Sequence, residues 1–132
     1  MSHFTCIKTK IKEKPYLICF SGVQGSGKTT LSHFLQLLLR KAYGRTALGF
    51  SIDDLYKTKE DRKRLAKDIH PLCEVRGVPG THDIPVGLKV LDSLFSARSS
   101  TLTPIPAFSK PLDERKPQLA WPLYYRRPYY IF

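Results

Sequence analysis

Gly22-Val-Gln-Gly-Ser-Gly-Lys-Thr-Thr30 follows on the apolar run Tyr16-Leu17-Ile18-Cys19-Phe20 and leads directly into a helical pattern. Read as a unit, this is strand, glycine-rich loop and helix, the arrangement that binds a nucleotide's phosphates. Gly22, Gly25 and Gly27 allow successive backbone N–H groups to converge on an anion without Cβ obstruction, and the following helix adds the positive end of its dipole. The loop residues Val23, Gln24 and Ser26 contribute main-chain amides to the same cradle. Lys28 is expected at the β- and γ-phosphates and the Thr29 hydroxyl on Mg²⁺, with Thr30 one residue deeper in the helix.

The apolar spacing extends this unit in both directions. Tyr16 to Ser21 reads as a buried strand, with Cys19 in the core. From Lys28 to Tyr43, Leu31, Phe34, Leu35, Leu37, Leu38 and Leu39 cover a wide helical face, and Gly44 supplies a left-handed stop. Thr46 to Ile52 reads as the next strand, ending on Asp53-Asp54 and completing a βαβ crossover. A second helix is predicted over Lys59 to Ile69, with Thr58 and Asp61 in capping-box relation and His70-Pro71 as its end. After an ordered Gly/Pro loop from Leu72 to His82, a third helix is predicted from Asp83 to Ala97, burying Val86, Val90, Leu91 and Leu94. Ser99 to Thr103 reads as a polar turn, Pro104 to Phe108 as an edge strand and Leu112 to Pro117 as a charged loop. The aromatic end, Trp121 to Phe132, runs into what reads as another strand, beginning at Arg127.

Composition narrows the class. At 132 residues and 42% hydrophobic, the chain holds one core. We divide it into a basic arm, residues 1–14, and one α/β domain, residues 15–132. The sequence has neither a run of eighteen apolar residues nor an apolar signal segment at its start, so no membrane partner is expected and the cytoplasm is the expected compartment. Cys6, Cys19 and Cys73 are odd in number and widely spaced, which suits reduced structural thiols. Lys and Arg number 22 against 11 Asp and Glu, a net charge of +11. The basic residues fall into clusters at Lys8 to Lys14, Lys57 to Lys67 and Arg126-Arg127, with no nucleic-acid motif framing any of them. Solvated faces account for them, and nucleic acid is not an expected partner.

In an open α/β sheet, ligands bind beyond the carboxyl ends of the strands, which brings Asp53 and Asp54 to the phosphate-loop cleft. Phosphoryl transfer benefits from a base at the attacking hydroxyl and from a carboxylate in the Mg²⁺ shell. Asp53 is the candidate for both tasks, whereas turn capping is a rival role for the pair and the stronger one for Asp54.

Four segments give the chain a family likeness: Phe20 to Thr30, Ser51-Ile-Asp-Asp-Leu-Tyr56, Arg76-Gly-Val-Pro-Gly-Thr-His-Asp83, and Pro104-Ile-Pro-Ala-Phe-Ser-Lys-Pro-Leu-Asp-Glu-Arg115. Over residues 15–122 the chain resembles the P-loop kinases related to D-glycerate 3-kinase, within the wider uridine kinase, pantothenate kinase and phosphoribulokinase group. The resemblance implies a P-loop nucleoside triphosphate hydrolase fold, a parallel sheet with flanking helices. It also implies transfer of the γ-phosphate of ATP, with Mg²⁺, to a small hydroxy acid, glycerate first. On that likeness the acceptor contacts are Asp53, Tyr56, Arg76, Thr81, His82, Asp83, Lys110 and Arg115, with Lys28 and Asp53 catalytic. Arg76 offers a planar fork for a carboxylate, Thr81 and His82 neutral hydrogen bonds, and Asp83 a charge at a helix start. Without the likeness, Arg76 to Asp83 reads equally as a rigid loop whose aspartate caps the next helix, and Lys110 and Arg115 as solvated charges.

Relatives of this kind continue past the Trp-Pro segment into a strand ending on an acidic motif, then a lid. The chain therefore reads as the N-terminal half of such a kinase, C-terminally truncated. The phosphate-loop strand is expected to be central, and Leu17 to Phe20 to be exposed without its later neighbours. Self-association or a complementing polypeptide is the corresponding partner expectation, and a nucleotide-binding module without turnover is the corresponding alternative function.

Overall fold

The computed structural model describes residues 15–98, 100–125 and 128–132. The basic arm, Ser99 of the predicted polar turn and the Arg126-Arg127 cluster lie outside these residues.

A three-stranded parallel sheet carries the molecule. Its strands are β1 (Tyr16–Leu17), β2 (Ala47–Leu48) and β7 (Tyr130–Ile131), in the order β1-β7-β2. Tyr16 and Ala47 both register on Tyr130, and Leu17 and Leu48 on Ile131. Further main-chain bonds, Ile18 N to Ile131 O and Phe50 N to Phe132 O at 2.8 and 2.7 Å, carry the extended pairing beyond the named strands. The aromatic terminal segment is thus a strand, as its composition suggested, and it lies between the two strands of the predicted crossover. The phosphate-loop strand is not central among the described residues but stands at the sheet edge. Leu17 and Ile18 are 46% and 38% exposed and Cys19 is also exposed, so the expected exposure is present while the placement of Cys19 in a core is corrected.

Helix α1 (Lys28–Tyr43) has the predicted bounds, opening on Gly27 and closing on Gly44, both left-handed at φ 79° and 60°. Period-two alternation puts Ala47 and Gly49 on one face of the sheet and Leu48 on the other. Gly49 shows how near α1 comes: a Cβ there would stand 2.6 Å from Gln36 Nε2 and 3.0 Å from Ser32 Oγ. The wide apolar face of α1 is nonetheless largely uncovered, with no buried residue and Phe34 and Leu37 exposed by 59% and 58%.

The predicted strand through Ile52 is shorter in the structure. Ser51 accepts the Asp53 N–H through its hydroxyl and starts a 3-10 turn over Ile52–Leu55. Helix α2 (Lys59–Asp68) is capped by Thr58, whose Oγ1 accepts the Asp61 N–H at 3.1 Å and donates to the Asp61 carboxylate. Helix α3 (Ile84–Ser96) begins after Asp83 and buries Val90 and Leu94, which join Leu48, Ile105 and Ile131 in one core. Val86 and Leu91 pack against it. Two antiparallel pairs complete the fold, β3 (Leu102–Pro104) with β6 (Leu123–Tyr125) and β4 (Phe108–Ser109) with β5 (Glu114–Arg115). The predicted edge strand and charged loop are therefore redistributed into these short pieces. Prolines at 104, 106, 111 and 117 remove main-chain donors and keep each ladder brief.

Candidate active site

Gly25 and Gly27 hold φ of 81° and 79°, conformations that side chains rarely adopt. A Cβ on Gly22 would approach Ser26 Oγ to 2.9 Å, so a side chain there would fill the cradle. Helix α1 opens without a side-chain cap, leaving its first-turn amides to an anion. Lys28 is folded over the loop, its Nζ donating to the Gly22 and Val23 carbonyls at 2.6 and 2.7 Å and to Ser26 Oγ at 3.4 Å. Main-chain dipoles thus bring the ammonium to the mouth of the cradle. The chemistry of this donor set fits a nucleotide's phosphates. Thr29 and Thr30 are exposed at the same helix start, and among the described residues no group of three or more His, Cys, Asp or Glu could hold a metal by itself. A Mg²⁺ shared between phosphates, waters and one or two protein oxygens needs no such group.

Beyond β2, Asp53 and Asp54 separate in role. The Asp53 carboxylate pairs with Lys110 Nζ at 3.1 Å on the surface. Asp54 Oδ1 accepts the Phe108 N–H at 3.1 Å and ties the 3-10 turn to β4. Burial raises the Asp54 carboxyl above its usual value; the Phe108 N–H and the positive Lys110 and Lys116 oppose that rise, and negative Asp53 adds to it. Turn capping, the rival role for the pair, falls to Ser51.

Tyr56, Arg76 and His82 are brought together. Tyr56 stacks on His82 at 4.3 Å between centroids, and the Arg76 guanidinium lies 6.0 Å from the Tyr56 ring and 5.2 Å from that of Phe108. Burial pushes the Tyr56 hydroxyl above its usual range. His82 Nε2 is buried without a hydrogen-bond partner among the described residues. The other predicted acceptor contacts are occupied by protein groups. Thr81 is fully buried, its hydroxyl donating to Val78 O at 2.6 Å, so it braces the loop and is corrected from an acceptor contact. Asp83 caps α3 through the Val86 N–H at 3.3 Å and pairs with Arg115 at 2.7 Å. Burial raises this carboxyl, but the Arg115 hydrogen bond, the Val86 N–H and the charges of Arg115 and Lys57 outweigh burial and hold it below its usual value.

The charged face assigned to α2 needs one correction with consequences here. Arg62, read within a solvated cluster, is fully buried. Its Nη1 donates to Glu74 O at 2.9 Å, and its Nη2 to both the Asp113 carbonyl and carboxylate at 2.8 and 2.9 Å. One guanidinium therefore ties the Arg76 loop to the turn between β4 and β5. No feature of the local sequence separates Arg62 from its neighbours Lys63 and Arg64; only the loops packed over it do.

A separate hollow of about 460 Å³ lies between α1, Thr46–Ala47 and Tyr124, lined also by His33, Gln36 and Arg40. None of its lining residues belongs to the site above.

With this geometry described, the chain can be set beside the known proteins it is similar to. The probable ATP-dependent kinase TDA10 of Saccharomyces cerevisiae is 41% identical over 86 residues, covering 62% of this chain and 30% of that protein. Chloroplastic D-glycerate 3-kinase of Arabidopsis thaliana is 32% identical over 115 residues, 82% of this chain and 25% of the other. The chain is therefore similar to these kinases over part of their length. A solved D-glycerate 3-kinase from Cryptococcus neoformans superposes with a TM-score of 0.66 at 28% identity, over 90% of this chain and 42% of that one. The fold is accordingly the α/β P-loop kinase fold expected from the motifs. The chain spans about a third or less of the length of these two curated relatives. No protein-family model matches it. Among the described residues, no helix is long and apolar enough to cross a membrane.

Proposed function

We propose that this chain is the phosphate- and acceptor-binding part of an ATP-dependent kinase that phosphorylates a hydroxyl of a small hydroxy acid, D-glycerate first. The observation that carries this reading is the glycine cradle at the mouth of β1, in a fold that also brings Asp53 and Lys110 together beyond β2. The main-chain amides of residues 22–30 would hold the nucleotide's phosphates, Lys28 would serve the β- and γ-oxygens, and Thr29 with Asp53 would offer oxygens to Mg²⁺. When bound, the ion neutralises phosphate charge. Asp53 accepts the proton of the attacking hydroxyl, and Lys110, its ion-pair partner, stands ready for the transferring phosphate. Arg76 receives the acceptor's carboxylate, beside Tyr56 and His82, and the Asp83–Arg115 pair steadies their loop.

Labelled phosphoryl transfer from Mg·ATP to D-glycerate, beside calorimetric ATP binding, tests the proposal. Transfer abolished by Asp53→Asn supports it; a folded sample that fails to bind ATP refutes it. A second reading, a nucleotide-binding module without turnover, is favoured by the edge of β1 and the face of α1 that the described residues leave uncovered. ATP binding without product selects that module, with self-association or a complementing polypeptide as the partner of those surfaces. Exposed Cys19 and buried Cys73, both free thiols, suit a reducing compartment, and the cytoplasm is the proposed one.

A further inference from the structure

Asp113 lies in the Pro104–Arg115 segment without being among the expected acceptor contacts, and it occupies an unusual position. It has a φ of 52° without being glycine. Its N–H reaches the Lys110 carbonyl at 3.2 Å, and its own carbonyl and Oδ2 both accept from buried Arg62. Its other oxygen, Oδ1, lies 2.8 Å from Arg76 Nε. That contact departs from hydrogen-bond geometry, since Oδ1 is also buried without a hydrogen-bond partner among the described residues, so it is a charge contact. A left-handed turn residue held by two bonds from one guanidinium is a rigid support.

The charge balance around it is uneven. Asp83 pairs with Arg115 and Asp53 with Lys110, one carboxylate to one cation. Arg62 and Arg76 instead share the single carboxylate of Asp113. The trio keeps one surplus positive charge where Arg62 is wholly buried and Arg76 and Asp113 are 32% and 35% exposed. Arg76 meets the carboxylate through Nε alone, and its plane is steadied by the Phe108 and Tyr56 rings. Its two terminal nitrogens make no hydrogen bond or ion pair to another described residue. A guanidinium anchored at Nε presents those nitrogens as the parallel fork that matches a carboxylate.

We propose that Asp113 is a positioning residue: pinned by Arg62, it fixes Arg76 at Nε so that the free fork selects acceptors bearing a carboxylate. This deepens the hydroxy-acid reading and rests on it. Selectivity is then built into the Arg62–Asp113–Arg76 line, not into the phosphate loop.

The test is calorimetric titration of the whole chain, wild type and Asp113→Asn, with D-glycerate and with its uncharged amide, each sample also titrated with ATP. The expected wild-type preference for acid over amide is about tenfold or more, as for a charge-assisted bond. In Asp113→Asn it falls to within about threefold while ATP affinity is unchanged. A variant that keeps the full preference overturns the proposal and leaves the hydroxy-acid reading standing. A wild type that binds ATP but neither acid nor amide overturns both. Should Asp113→Asn not fold, Asp113→Glu, which keeps the charge and displaces it from Arg76, takes its place in the same titrations and is expected to lower the acid preference at least about threefold with ATP affinity unchanged. A folded Asp113→Glu protein that keeps the full preference overturns the proposal.

Discussion

Around the phosphate loop the working groups stand in solvent and are arranged by the backbone; around Arg76 they are half-buried and arranged by other side chains. Every residue from Ser21 to Gly27 is exposed, and Lys28 is held by carbonyls no more than six positions away in sequence. The Arg62–Asp113 contact, by contrast, joins residues 51 positions apart and Lys110–Asp53 residues 57 apart. A local loop needs little packing to keep its shape. A side-chain network spanning three segments keeps its shape only while the fold does.

The sharpest way to break this contrast is to remove one cation from each region. Arg62→Ala leaves Asp113 without its buried partner, and a loss of roughly 3 kcal/mol is expected, the low end for a broken buried pair because Asp113 is 35% exposed. Thermal melts should show a fall of roughly 10 °C or more. Lys28→Ala should leave the melt within about 2 °C, since its contacts are exposed and local, while ATP affinity drops about tenfold or more by calorimetry. Similar melting losses for both variants would contradict the distinction.

A smaller effect is expected at Asp83, whose cap and pair bridge α3 to β5. Asp83→Asn should cost about 1 kcal/mol at neutral pH. The sign in acid follows from the lowered carboxyl: Asp83 contributes fully above its ordinary value of 3.8, and the contribution disappears as pH falls through the lowered value. Asp54 runs the other way. Its raised carboxyl favours folding when protonated, and that contribution is lost as pH rises from 3.8 through the raised value. Acid titration of stability should therefore flatten at its lower end in Asp83→Asn and at its upper end in Asp54→Asn; identical shifts would disprove the assignment.

Within the first region, Gly49→Ala should cost about 1 kcal/mol, because the new Cβ displaces the ends of Gln36 and Ser32 and no main chain. Least of all is expected from Phe34→Ser on the open face of α1, within about 0.5 kcal/mol by denaturant melts. Sedimentation of that variant should nonetheless show weaker self-association if the face is sticky in solution. A large stability loss would mean that the face is covered.

Much of the molecule was legible because its signals are local. Helix α1 runs between two glycines whose positive φ ends regular backbone, and α2 and α3 begin at Thr58 and Asp83, whose oxygens accept amides three residues on. The central position of Tyr130–Ile131 was not legible, since which strands become neighbours is settled by packing between β1 and β2 and not by strand composition. Thr81 and Arg62 were misread for a related reason: burial is a property of what lies above a residue.

By itself the sequence determined the phosphate loop, the helix that carries it and the kinase likeness, because glycine spacing, caps and contiguous motifs act over a few residues. Only the tertiary structure decided which charges are spent on one another and which are left for a ligand. Asp83 with Arg115, and Arg62 with Asp113, become partners through contacts 32 and 51 residues apart, and Coulomb attraction is strong only once packing has removed the water between such groups.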